Sequence, residues 1–238
     1  MRGVQKLSWV VAFLSSWAWG CGATVDDGGS GGSGTGGASS SGSGAGGACS
    51  GFEDATPTET VTLRITNQAP VDIYLPNGCG ILGYRIERAT PSDVSYGPID
   101  YPCSMTCEDL QSQPQILCGA CAPTSRRLAP GESVEVEWPA VGLRSVSMPS
   151  ECWLDSSADA TCSQLVAAES GTYAPSIDGF SSCGSTAGTC TCDASGECNG
   201  DVSGQAAYPL PVEFSLPGAG LVEIVFEPCT FGCPQPGG

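Results

Sequence analysis

The sequence predicts an all-β fold, a disulfide-rich β-sandwich with long loops, and three features of the chain point there. Apolar and polar residues alternate at period two in several short runs, the spacing that puts one strand face on a core and the other in water. No stretch keeps a 3.6-residue apolar period for four turns. The 238 residues include 15 cysteines, 34 glycines and 18 prolines, a composition of turns and covalent staples.

The elements follow in chain order. Val61, Leu63 and Ile65 alternate with Thr62, Arg64 and Thr66, giving a first half-buried strand. Shorter strands are expected at 71–75 and 81–87, with Asn77-Gly78 as the turn between them. One short helix is expected at 107–113. Val134, Val136 and Trp138 against Ser133, Glu135 and Glu137 make the next clear strand, followed by one at 143–148. Finally, Val212, Phe214 and Leu216 face Val222, Ile224 and Phe226 across Pro217-Gly218-Ala219-Gly220, which predicts a closing hairpin. Between these lies a loop-rich, cysteine-rich middle.

Leu128-Ala129-Pro130-Gly131-Glu132, ahead of a strand, suits a type II turn, with proline second and glycine third. The segment resembles the turn found in many secreted bacterial immunoglobulin-like β-sandwiches. That resemblance implies an immunoglobulin-like arrangement of the strands.

The N-terminus carries targeting information. Arg2 and Lys6 precede the apolar run Leu7–Leu14, which is too short to cross a bilayer needing about 20 residues. Residues 1–20 therefore read as a removable export signal. Its end, Ala18-Trp19-Gly20-Cys21, resembles the lipobox of bacterial lipoproteins. The resemblance implies lipidation of Cys21, by acyl chains of the palmitate kind on its sulfur and new amino terminus. Gly22 would then be compatible with sorting to the outer membrane of a Gram-negative cell. Residues 21–48, nearly all Gly, Ser, Ala and Thr after the anchor cysteine, cannot bury apolar surface and are expected to be a disordered tether. Such a coil has a root-mean-square span of about 30 Å. A phosphate-cradling loop is excluded, since no strand precedes the tract and no Lys-Ser/Thr follows it. Residues 49–238 form the expected cysteine-rich β-domain.

Charge and missing residue types narrow the function. The chain carries −17, and loss of Arg2 and Lys6 with the leader takes it to −19. Nucleic acid is excluded as a partner, because no basic footprint exists to displace its counterions. Anionic lipid is repelled too, so membrane attachment falls to the covalent anchor. The chain has no histidine, and no lysine beyond Lys6. Ser-His-Asp, Cys-His and Ser-Lys chemistries are thereby excluded, and no cofactor is expected. Only a carboxylate pair of the glycosidase type survives, and 25 acids single none out. Trp138 and Trp153 are candidate sugar-stacking residues, although Trp138 lies on its strand's apolar face.

An odd cysteine count leaves one thiol over; assigning Cys21 to lipid leaves 14 candidates for disulfides. They are Cys49, Cys79, Cys103, Cys107, Cys118, Cys121, Cys152, Cys162, Cys183, Cys190, Cys192, Cys198, Cys229 and Cys233. Connectivity is open, with on the order of 10⁵ pairings. Cys103-x3-Cys107-x10-Cys118-x2-Cys121 has the spacing of a four-thiolate zinc site, and Cys118-Gly119-Ala120-Cys121 resembles the redox motif of thioredoxins. Structural disulfides are the favoured alternative, since export exposes the chain to an oxidant and Pro123 opposes the helix that the redox motif would open. In the second cluster, Asp193, Ser195, Glu197, Asn199 and Asp201 alternate around Cys198 like a calcium loop, but Cys198 stands where an EF-hand needs glycine. A disulfide-stapled loop is favoured there as well.

The expected function is that of an envelope-anchored, non-enzymatic binding or structural module for an unknown protein or polysaccharide. The alternatives are a proteinase inhibitor baited by Arg126-Arg127 and a carboxylate-dependent polysaccharide hydrolase.

Overall fold

The computed structural model describes residues 49–99, 105–114, 119–155, 160–185 and 188–228. The leader, the lipobox with Cys21, the Gly/Ser tether, and Cys103, Cys118, Cys229 and Cys233 lie outside the described residues.

The fold is all-β and rich in disulfides, with a sandwich-like stacking of sheets. β1 (Val61–Asn67) is flanked by β7 (Ser133–Trp138), antiparallel, and by β16 (Leu221–Phe226), parallel. A six-stranded antiparallel sheet runs β15 (Phe214–Leu216), β10 (Gly171–Ser176), β4 (Arg85–Arg88), β5 (Val94–Tyr96), β8 (Val141–Met148), β9 (Ala160–Ala167). The third sheet runs β12 (Gly188–Thr189), β11 (Gly179–Ser185), β2 (Ile73–Gly78), β6 (Pro123–Leu128), β13 (Glu197–Cys198). To it β14 (Asp201–Ala207) adds on β11 and β3 (Ile81–Leu82) adds on β2.

The alternation read in the sequence buries the residues it should. Val61, Leu63 and Ile65 of β1 and Ile224 and Phe226 of β16 are fully buried. They share one core with Ile73, Leu75 and Leu128 of the third sheet and Tyr96 and Tyr173 of the second. Trp138 sits at the junction, 0% exposed, with ring centroids 5.8–6.0 Å from those of Tyr96, Tyr173 and Phe214. Its indole N–H donates to the Val141 carbonyl at 2.9 Å, which satisfies the polar end of an otherwise apolar side chain. The Ala129–Glu132 turn forms as expected: Gly131 has φ +81° and the Glu132 amide donates to the Ala129 carbonyl at 2.9 Å.

A second, smaller core gathers Leu110, Met148 and four cysteines at one end of the six-stranded sheet. The expected helix forms there as α1 (Cys107–Ser112). Thr106 caps it: its hydroxyl accepts from the Asp109 amide, and the Asp109 carboxylate accepts from the Thr106 amide.

Four sequence expectations need correction. The closing hairpin does not form: β15 pairs with β10 and β16 pairs with β1. Both strands face the same core, but the loop between them crosses from one sheet to another, tied by the Gly218 amide to Glu59 Oε1 at 2.7 Å. The turn at Asn77-Gly78 lies two residues later, at Cys79 and Gly80, with φ of 55° and 79°. Asn77 and Gly78 pair with Leu82 and Ile81 and remain strand residues. The strand expected at 81–87 is split at Gly83 into β3 and β4, which belong to different sheets. Finally, most of the cysteine-rich stretch 179–207 is strand, in β11 to β14, rather than long loop.

Candidate functional site

The split at Gly83 builds a partly enclosed, mostly apolar space. β3 contributes Ile81 and Leu82, and the chain then turns so that Tyr84 is only 7% exposed. Opposite stand Val136 and Glu137 of β7, with Pro139, Val141 of β8 and Leu165 of β9. Pro57, Pro98 and Ile99 complete a cavity of about 530 Å³. That volume is in the range of small-ligand pockets, or of one large side chain and its flanks. β7 is an edge of the three-stranded sheet, so this cavity adjoins a strand bonded on one side only.

Two polar groups face this apolar lining. Burial pushes the Tyr84 hydroxyl up to about 12, so it stays a neutral donor across the physiological range. Glu137 is the single carboxyl among the lining residues. A glycosidase-type centre needs two carboxyls about 5–9.5 Å apart, and the lining supplies one. The arrangement is suited to holding an apolar group rather than to acid–base chemistry. Sequence reasoning missed this site because its walls come from five separated segments, each of which scans as an ordinary strand or proline loop.

The residues singled out from sequence are placed as follows. Arg126 and Arg127 lie inside β6, between β2 and β13, where Arg126 Nη1 meets Glu197 Oε1 at 3.3 Å. A protease bait needs a protruding loop, so these two arginines are not positioned as one. Trp138 is core, and Trp153 is half-buried with its indole N–H on the Met148 carbonyl at 3.3 Å.

All ten described cysteines are paired. Cys49–Cys152 and Cys107–Cys162 bind the N-terminal segment, α1 and β9 into the smaller core. Cys79–Cys121 ties the β2–β3 turn to the start of β6. The first cysteine cluster is therefore divided: Cys107 and Cys121 have partners outside it, against both a single zinc centre and a Cys118–Cys121 redox pair. Cys183–Cys190 and Cys192–Cys198 staple the second cluster, and all four sulfurs lie within 4.8 Å of one another.

The calcium-like oxygens around them are engaged by the chain's own donors. Asp193 Oδ1 accepts from the Ser195 amide and hydroxyl and from the Glu197 amide, at 2.7–3.0 Å. The hydrogen bond from Ser195 leads the causes that hold its carboxyl below the ordinary aspartate value. Glu197 takes Asn77 at 2.7 Å and Arg126 at 3.3 Å, and Asn199 Oδ1 takes the Thr191 amide at 2.7 Å. These groups brace the loop instead of converging on a cation.

Fold and site together define an all-β, disulfide-stapled domain with an apolar, weakly polar-rimmed cavity. No family model, curated protein or solved structure matches the chain.

Proposed function

We propose that this protein is an exported, lipid-anchored envelope lipoprotein whose β-domain acts as a non-enzymatic binding module. The observation that carries this reading is the pairing of all ten described cysteines, which supports a life in an oxidising compartment beyond the cytoplasm. Cys21 is the proposed anchor, at the outer membrane, and residues 22–48 the spacer. The cavity supports a binding role and favours a protein ligand that inserts an apolar side chain over a polysaccharide, because its lining is aliphatic and proline-rich. The placement of Arg126-Arg127 within β6 lends the inhibitor alternative no support.

Two measurements test this. Intact mass of the native protein should show acyl chains on Cys21 and no alkylatable thiol among the other 14 cysteines. A pull-down from envelope extract should enrich a partner with the wild type and lose it with Val136→Asp. A mature chain that keeps its first twenty residues, or a partner unaffected by Val136→Asp and by Leu82→Asp, counts against the proposal.

A further inference from the structure

We propose that Cys183, Cys190, Cys192 and Cys198, once reduced, form a single tetrahedral site for a thiophilic divalent cation of the zinc class. The inference goes beyond the binding role and does not rest on it, since the cavity lies on other strands. Three observations converge. The four sulfurs already lie within 4.8 Å of one another. Zinc–sulfur bonds of about 2.3 Å place the four sulfurs roughly 3.8 Å apart, so once each bonded pair is opened its sulfurs part by about 1 Å apiece to take an ion.

The positions are also fixed by backbone rather than by the sulfur bonds alone. Cys183 is registered against Val202, and Gly184 against Thr189. Cys192 bridges Cys198, and the Asn199 amide donates to the Thr191 carbonyl at 3.1 Å. Cys198 is registered against Ser125 of β6. Behind Cys190 the chain passes so closely that a Cβ on Gly200 would stand 2.8 Å from the Cys190 Cβ. Opening both disulfides therefore leaves four thiols held near one point.

The third observation concerns what these two disulfides do for the fold. They span only 7 and 6 residues of a segment already held by strand pairing to β11 and β6. Stabilisation by cross-linking grows with loop length, so staples this short restrict the unfolded chain less than the long-range disulfides do. Two of them in sixteen residues suit chemistry better than stability. Cys198 is buried, and the other three cysteines are half-buried.

The exchange balances. A dithiol reductant gives two electrons and two protons to each disulfide and becomes a disulfide itself. The four thiols formed release four protons as their thiolates bind the cation. Oxidation by a disulfide of higher potential reverses both steps and expels the ion, which makes the segment a redox-gated metal site.

Cobalt(II) is the probe. The full-length protein is reduced with a dithiol under argon, freed of reductant and titrated with cobalt, then zinc. One cobalt per chain is expected, with the visible bands of a tetrahedral tetrathiolate, and zinc should displace it. The oxidised protein should take up none. Cys192→Ser with Cys198→Ser should lower the affinity roughly 100-fold or more, beyond what loss of an outer partner does. Cys107→Ser with Cys121→Ser, which dismantles the other cluster, should leave the bands unchanged. Bands that survive the first pair or vanish with the second overturn the assignment. So does a reduced wild type that loses its far-ultraviolet β signal and binds no cobalt.

Discussion

Asn67 does more for the fold than its place at the end of β1 suggests. Fully buried, it donates from Nδ2 to the carbonyls of Val71 and Leu128 at 2.9 and 2.8 Å, and accepts at Oδ1 from the Ala69 amide at 2.9 Å. Its own amide and carbonyl bond Glu132 and Gly131 in the turn before β7. Asn67→Ala orphans two carbonyls and an amide in the interior, at a cost of about 2–4 kcal/mol in urea unfolding. A loss under about 1 kcal/mol would mean that water takes over these groups. The alternation of Val61, Leu63 and Ile65 was plain in the sequence, but this role was not: an asparagine at a strand's end scans as a turn residue, and its side-chain partners lie up to 61 positions away. Gly142 makes the complementary case by close approach. A Cβ there would fall 2.5 Å from Val94 Cγ1, 2.6 Å from Tyr96 Cδ1 and 2.8 Å from the Ser95 carbonyl. Gly142→Ala should destabilise by about 1–3 kcal/mol through overpacking. Gly220→Ala, whose Cβ meets nothing within 4 Å, should change stability by under about 0.5 kcal/mol in the same assay.

At the scale of elements, strands with large alternating side chains were legible and their partners were not. Phe214, Leu216, Val222, Ile224 and Phe226 are buried as their spacing requires, yet pairing is set by which sheet the core leaves open, not by the intervening Pro-Gly turn. β9, β11 and β14 were invisible for a different reason. Ala-Thr-Cys-Ser-Gln and Gly-Phe-Ser-Ser-Cys carry small polar residues that alternate weakly, and ladder bonds, with the Cys107–Cys162 disulfide in β9, do what apolar faces do elsewhere. The cavity was illegible because it arises where β3 leaves one sheet and β4 joins another. The outer edge of β9 is covered by the N-terminal segment: Gln164 Nε2 donates to the Gly51 and Glu53 carbonyls, and the Leu165 amide donates to Asp54 Oδ1 at 2.8 Å. Burial, reinforced by Glu108 and Asp109, raises the Asp54 carboxyl above its ordinary value of 3.8 despite that bond. A raised carboxyl binds its proton more tightly folded than unfolded. Its contribution is therefore full below the unfolded value and declines as pH rises through the folded one. Asp54→Asn, which mimics the protonated form, should gain on the wild type between pH 3 and pH 7. A urea midpoint difference that moves the other way would show that the charged form is the one the fold favours.

For the molecule as a whole, the stabilising question is how so small a second core holds its end of the six-stranded sheet. That core has Leu110 and Met148 as its fully apolar buried members, with Cys107, Cys152 and Cys162 filling the rest. Phe52, Met105, Val146 and Trp153 pack against it only partly buried, so apolar burial here does little against the entropy of fixing the N-terminal segment, α1 and β9. Two long-range disulfides supply the difference by restricting the unfolded chain: Cys49–Cys152 spans 103 residues and Cys107–Cys162 spans 55. Loop-closure entropy assigns about 4.7 kcal/mol to a ring near 100 residues and roughly 2 kcal/mol to one of six or seven. The full-length protein with Cys49→Ala and Cys152→Ala should therefore lose about 4–5 kcal/mol in non-reducing urea unfolding, and with Cys192→Ala and Cys198→Ala roughly 2 kcal/mol. The difference separates two uses of sulfur within one domain. If the short-range pair cost as much as the long-range one, the second cluster would be a structural staple like Cys49–Cys152, and the fold would depend on it throughout.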